Sequence, residues 1–505
     1  MPNSLVLGLR PISIEEVEDV ARREARVEFA EAARARIRQG RAKLEERLAA
    51  GDRIYGVNTG VGGNIKFALD AEQTERFQHN LMNHLSCGTG AALPHDVVRA
   101  ATLLRLATFA RGSSGVRWEL VAALEELLNH GIVPVVPRYG SVGASGDLMP
   151  SAYIGRALFG MGQVDYQGRR MPAEEALRAA GLATVRFAPK EGLALINGTT
   201  GMTAFAALIY VDAWRVLHAL LGAVALAIEA LEAPAEPYQA WVHESKGHPG
   251  QIAVAAYVRE LLEGSGFVTE SYIQKCYSLR CVPQGLGPAW EALDAARAVV
   301  EREVNSANDN PLIDPETGNL YRAGNFYGGH ISRLLDTFKL DFAIEANWAN
   351  ALFAVLVDDK FNGGLPANLV PDPGMNSGFK GMQLSITALT CAIRQMAGPS
   401  SIHSLPTEQY NQDLVSLGMH SAVTAADAIE CLRNAVAMVL LAGTQAVDLR
   451  GGPRRLGQGS RRVYDAVRRV AVFLDRDRPM EDEIAALAGE IQKMEGGQFC
   501  PQRAF

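Results

Sequence analysis

Apolar residues recur at three- and four-residue spacing through most of this chain, the repeat of helices with one buried face. The pattern predicts helices over residues 15–50, 96–109, 118–129, 203–231, 290–304, 332–357, 382–396, 421–447 and 461–473. The first is rich in Ala, Arg, Glu and Leu and stops at Gly51-Asp52, with a glycine just past the helix end. Several exceed the usual ~11–12 residues, which favours a bundle of long helices over a compact α/β fold. Strand signal is thin: residues 132–136, and 162–166 before the turn-like Gln167-Gly168. Strands do not alternate with helices, so no doubly wound sheet is expected. The fold class predicted is mainly α.

Between the helices lie short polar segments: "IYGVNTGVGGN", "RYGSVGASGDLMP", "LALINGTT", "CYSLRCVPQ", "NSANDNPLID", "AGNFYGGH" and "PTEQYNQDLVS". They hold Tyr, Asn, Gln, Arg and Phe, side chains that orient ligands, and loops on a rigid scaffold are where chemistry usually sits. That pattern points to an enzyme. A hydrophobic share of 48% with 21% charge over 505 residues suits a globular protein with a substantial core. The net charge of −7 argues against nucleic acid or an anionic membrane as partner, since both need a basic footprint. The longest apolar run, 203–231, carries Asp212, Arg215 and Glu229, so no membrane span is expected. The first residues lack the basic flank of a signal peptide, and six scattered cysteines form no CxxC pair. The cytoplasm is the expected compartment. "HESKGH" has one residue too many for HExxH, so no metal is expected.

The barest segment runs from Arg138 to Pro150, between an apolar run and a helical-looking one. A phosphate loop needs GxxxxGK[ST], but Asp147-Leu148 follows Gly146; no nucleotide is expected. Gly140, Gly143 and Gly146 have the wrong spacing for GxGxxG, and in Gly143-Ala144-Ser145-Gly146 the second glycine directly follows the serine, unlike GxSxG. A plain turn remains open. So does backbone cyclisation: in a tight bend the Gly146 amide nitrogen can attack the Ala144 carbonyl carbon, because small residues let backbone atoms approach closely. Loss of water from the ring and from the Ser145 hydroxyl would leave an electrophilic exocyclic methylene.

"GSVGASGDLMP" resembles the segment that becomes 4-methylideneimidazol-5-one (MIO) in the aromatic amino-acid ammonia-lyase and aminomutase family. "YGVNTGVGG", "EGLALINGT", "HPGQ", "YSLRCVPQ", "NSANDNPLID", "GNFYGG" and "NQDLVSLG" resemble other segments of that family in the same order, so the likeness covers residues 54–445. It implies a long-helix bundle of the ammonia-lyase, fumarase/aspartase-like type. It also implies a homotetramer whose active sites are each built from several subunits. The expected division is an N-terminal domain, 1–200, with the Tyr loop and MIO segment, and a helical remainder, 201–505, forming one catalytic unit with it. The implied reaction removes ammonia and a β-proton from an α-amino acid to give a trans-α,β-unsaturated acid. MIO from Ala144, Ser145 and Gly146 would take the amine as leaving group.

The resemblance makes Tyr55 the base, which requires surroundings that favour its phenolate. Arg280 matches the carboxylate-binding arginine, for which a planar fork is suited. Asn197 and Asn411 match groups near the carboxylate and amine; Gln274, Tyr277 and Gln412 match the shell around MIO and amine; Phe326 matches the aromatic residue beside the ring. Asn308, Asp309 and Asn310 brace their loop or contact the site. His84 and Leu85 match the pair facing the substrate side chain, and His-Leu resembles tyrosine-accepting members. A histidine there can bond a phenol hydroxyl and disfavours the analogue lacking it. Gln412 stands where histidine-specific members tend to have Glu. Lys380 and Glu408 resemble the phenylalanine/tyrosine branch and are expected to pair. Val61 stands where Phe or Tyr is common, Gly63-Asn64 resembles aminomutases, and the lid segment 264–272 looks shortened. The expected activity is therefore L-tyrosine to trans-p-coumarate plus ammonia. Alternatives are a tyrosine or phenylalanine 2,3-aminomutase, a phenylalanine or histidine ammonia-lyase, or an inactive helical scaffold. The last is disfavoured by the joint presence of Tyr55, Ala144-Ser145-Gly146, Asn197 and Arg280.

Overall fold

In the computed structural model, residues 4–268 and 274–494 are described. The expected lid segment falls partly on residues 269–273, outside the described residues, as does Cys500. The chain is mainly helical. Its longest helices are Thr200–Ala230, Val282–Val304, Gly329–Val357 and Gly418–Leu449. Each contains an expected helix almost entire. Val282–Val304 begins eight residues before the expected start, because Pro283 falls in the first turn, where no N–H is required, and Pro288 is accommodated inside.

The helix expected over 15–50 is two helices, Ile14–Arg22 and Glu31–Ala49. Between them Val27–Phe29 runs as a strand parallel to Leu5–Leu7, with Val27 and Phe29 buried and Glu28 exposed. Two-residue alternation over so few positions is invisible beside the helical repeat, and Glu24, at φ +56°, makes the break. The expected 461–473 helix is Gln458–Arg468. Gln445 ends it early: its Nε2 donates to the Leu474 carbonyl and its Oε1 accepts from the Leu474 N–H, at 2.9 and 3.0 Å. The run 132–136 supplies Val133–Pro134, which pairs with Gln163–Tyr166. That strand turns at Gln167-Gly168 into Arg169–Pro172. Shorter helices include Ala71–His84, Leu148–Ala157, Glu191–Ile196 and Pro249–Leu261.

Two compact units are present. The first takes the chain up to Leu208, with Arg297–Asp336 and Pro399–Val423; the second takes Ile209–Ala296, Thr337–Gly398 and the chain from Thr424 on. Two helices among the described residues are long and apolar enough to cross a membrane, Thr200–Ala230 and Gly329–Val357, which the charges in 203–231 had been expected to prevent. Those charges are matched within the protein: Asp212 lies 3.7 Å from Arg215, and Glu229 accepts from the Gly457 N–H at 2.7 Å. The apolar window of Thr200–Ala230 is 94% buried, whereas that of Gly329–Val357 is half buried.

Candidate active site

In the first unit the Ala144-Ser145-Gly146 turn is bent tightly by its neighbours. Gly146 adopts φ +75°, and a Cβ there would lie 2.0 Å from the Gly198 carbonyl oxygen. The Gly198 N–H donates to the Ser145 carbonyl at 3.1 Å, and the Asp147 N–H donates to the Gly198 carbonyl at 2.7 Å. Backbone bridges pair Ala144 with Gly146 and Gly146 with Gly198. "ASG" is therefore clamped by the glycine of "LALINGTT". The bend, and the lack of room for any side chain at position 146, fit what cyclisation to MIO requires.

Ser145 is half-buried, between buried Ala144 and Gly146. Its Oγ accepts from Gln412 Nε2 at 3.2 Å, and Thr407 Oγ1 donates to Gln412 Oε1 at 2.7 Å, which sets the amide's orientation. Asn197 caps the Glu191–Ile196 helix beside Gly198; it is buried, and its Oδ1 has no partner among the described residues. Such an orphaned acceptor is costly unless something donates to it.

Tyr55 is half-buried, and its hydroxyl oxygen accepts from the Gly62 N–H at 2.9 Å. Burial is the main reason its pKa is raised, and the Glu408 carboxylate raises it further; the Gly62 hydrogen bond works the other way. Glu408 reaches this loop because Gly62 has no side chain: a Cβ there would lie 1.7 Å from its carboxylate. The Glu408 oxygens accept from the Gly63 N–H at 3.3 Å and from Asn411 Nδ2 at 2.8 Å. Tyr55, Ser145, Glu408, Asn411 and Gln412 are thus linked through two short loops. Lys380, expected beside Glu408, opens the Lys380–Met396 helix of the second unit.

Beneath the turn lies a buried set of charges whose joint role sequence reading missed. Asp147 is fully buried, and burial pushes its carboxyl up to about 7; Met202 N–H donates to Oδ2 at 2.7 Å. Arg105, from His95–Phe109, faces both Asp147 and Asp309, and burial lowers its guanidinium to about 10. Lys190 Nζ pairs with Asp309 at 3.0 Å, both buried. Asn308 sits against Gly198, and Asn310 Oδ1 accepts from Ala323 N–H at 3.0 Å, so this loop does brace its surroundings. The available signal was that ionisable residues stood in otherwise apolar or glycine-rich stretches.

His84 ends the Ala71–His84 helix and is exposed, with Leu85 half-buried beside it. His84 Nδ1 lies 3.0 Å from the Asn80 carbonyl. A carbonyl only accepts, so Nδ1 carries the proton and neutral His84 offers Nε2 as an acceptor. Phe326 is half-buried on a loop that also contributes Asn325 and Tyr327 to a cavity of 560 Å³.

The second unit holds Gln274, Tyr277 and Arg280. Tyr277–Arg280 is a single helical turn; the Ser278 carbonyl accepts from Trp348 Nε1 at 3.1 Å and the Leu279 carbonyl from the buried Tyr238 hydroxyl. The Arg280 guanidinium lies 4.8 Å from the Tyr277 ring centroid, and Tyr277 is 68% exposed. Among the described residues no carboxylate pairs with Arg280. Gln274 and Arg280 line a cavity of 490 Å³. In "HESKGH", His243 is engaged with the Pro237 carbonyl and Gln251, and no group of three or more potential ligands is placed to hold a metal among the described residues.

A helical scaffold with a clamped Ala-Ser-Gly turn and a tyrosine loop tied to it defines an enzyme of the MIO-dependent ammonia-lyase and aminomutase class. The chain belongs to the family described as aromatic amino acid lyase, whose profile matches residues 12–469. It is 38% identical over 482 residues to a histidine ammonia-lyase of Myxococcus xanthus, covering 94% of each chain. It is 37% identical to a hal-like protein of Dictyostelium discoideum, over 95% of this chain and 94% of that one. Among solved structures, phenylalanine aminomutase of Pantoea agglomerans matches with a TM-score of 0.92 at 31% identity, covering 97% of this chain and 99% of that one. Tyrosine aminomutase of Streptomyces globisporus matches with the same score at 33% identity and 97% of both chains.

Proposed function

We propose that this protein deaminates L-tyrosine non-oxidatively to trans-p-coumarate and ammonia. The observation that carries the reaction type is the clamped Ala144-Ser145-Gly146 turn, whose bend and exclusion of side chains suit autocatalytic cyclisation. Once formed, MIO supplies the electrophile that ordinary side chains lack. Tyr55 takes the β-proton at its phenol oxygen, helped by the Gly62 N–H that donates to that oxygen. Arg280 binds the carboxylate bidentately, with Asn197 Oδ1 and Asn411 completing the polar end of the site. Gln274, Tyr277, Gln412 and Phe326 surround the amine and the ring. Lys380 and Glu408 supply charge at the margin. The active enzyme is a homotetramer with shared sites.

Tyrosine is favoured by His84: with its proton on Nδ1, Nε2 accepts from a phenol O–H, a bond that phenylalanine cannot supply. Leu85 and the neutral Gln412 offer little to an imidazole. The test is a denatured intact mass, in which MIO appears as the loss of two waters and Ser145→Ala abolishes that loss. Separate incubations with tyrosine, phenylalanine and histidine then follow. Faster turnover of histidine than tyrosine would overturn the substrate, and His84→Phe should move preference towards phenylalanine. A second reading, a 2,3-aminomutase, is supported by Gly63 and Asn64 and by the likeness to two aminomutase structures. Chromatography for β-tyrosine decides between them.

A further inference from the structure

We infer that Gln284 is a positioning residue for Arg280, taking its Nε–H as the guanidinium turns end-on to the substrate carboxylate; this rests on the reading of Arg280 as the carboxylate group. Gln284 and Arg280 line the same 490 Å³ cavity. Each presents a buried polar atom with no partner among the described residues: the Arg280 Nε donor and the Gln284 Oε1 acceptor. They are complementary but not bonded to each other in this structure, so the bond inferred between them is one that forms when a carboxylate aligns the guanidinium. A carboxylate gripped through Nη1 and Nη2 leaves the Nε–H pointing sideways, and a neutral acceptor on that side completes the fork. The Tyr277 ring already covers the guanidinium, at 4.8 Å, which restricts its tilt from one direction and leaves the Nε side open to Gln284.

The segment carrying Gln284 is built to be rigid. Gly285 lies against the Trp348 indole, where a Cβ would come within 2.1 Å of the ring, and a Cβ on Gly287 would lie 2.7 Å from the Gln251 backbone nitrogen. Trp348 also ties down the Ser278 carbonyl in the Arg280 turn. An amide suits the task better than a carboxylate: it accepts the N–H without neutralising the arginine that must bind an anion.

The experiment compares wild type, Gln284→Leu and Gln284→Glu. Gln284→Leu keeps the volume and loses the acceptor; KM should rise about tenfold, the loss of one hydrogen bond, with kcat changed about twofold or less. Gln284→Glu keeps an acceptor but competes with the substrate for the arginine, so KM should rise at least as far. A general loss of packing is separated by competitive inhibition with the arylacrylate product and with its primary amide. Gln284→Leu should weaken the acid about tenfold and leave the amide unchanged. Equal weakening of both, or unchanged KM in both variants, overturns the inference while leaving the lyase reading intact. A wild type that deaminates no amino acid overturns the lyase reading and the inference with it.

Discussion

Tyr55 and Glu408 sit close enough that the acid acts on the phenol's charge. A nearby carboxylate disfavours phenolate, and burial disfavours it more. If Tyr55 is the base, kcat/KM rises with pH as the phenol deprotonates. Glu408→Gln removes a negative charge, so the Tyr55 value falls and the rising limb moves to lower pH. A pH profile of kcat/KM for the two proteins measures this; an unmoved or upward-moved limb excludes Tyr55 as the group that titrates. At this scale much was readable beforehand. Tyr55, Ser145, Asn197 and Arg280 stand in short, distinctive strings. The distant partners of Glu408 were not readable, because Gly62 and Gly63 meet it through a fold contact between loops some 345 positions apart. Nothing local to "EQYNQD" encodes that contact.

The Glu191–Ile196 helix shows how one element supports the turn above it. Lys190, at φ +82°, stands at its start with its ammonium buried against Asp309, and Asn197 and Gly198 stand at its end. Lys190→Met leaves Asp309 as a buried charge short of its partner, and the cost of breaking such a pair is about 3–5 kcal/mol. A denaturant midpoint well below that of wild type is expected; a midpoint within error of wild type would show the pair to be dispensable. Helix positions followed from periodicity where helices were long. They failed at 15–50, where a three-residue strand interrupts the repeat, and at 461–473, where one glutamine side chain captures the backbone. Both failures come from tertiary contacts that overrule a local pattern. The helix carrying Gln284 departed in the other direction: it was expected from residue 290, yet it starts at Val282 and runs through Pro288.

The surface of the single chain is unusually apolar in places. Leu340 and Leu384, on two of the helices, are 54% and 74% exposed, and Tyr277 and Tyr410, from two of the loop motifs, are exposed as well. Exposed apolar residues of this size are expected where copies of a chain meet. Light scattering should report four chains per particle. The sharper test mixes two inactive variants, Ser145→Ala and Arg280→Met. If each site draws these residues from different subunits, co-expressed particles regain activity that neither variant has; if one chain supplies both, they stay inactive. Whole-molecule organisation was the least legible level, since exposed leucine and buried leucine are the same letter.

The contact between Gly146 and Gly198 carries a genetic consequence. The obstacle to a side chain at 146 is the carbonyl oxygen of residue 198, a backbone atom common to every amino acid. No replacement at position 198 can therefore make room. A screen for second-site suppressors of Gly146→Ala should return reversions at that codon and none at the codon for 198. Two positions 52 apart in the chain are locked together without being able to compensate for one another, a coupling that leaves no trace as paired change.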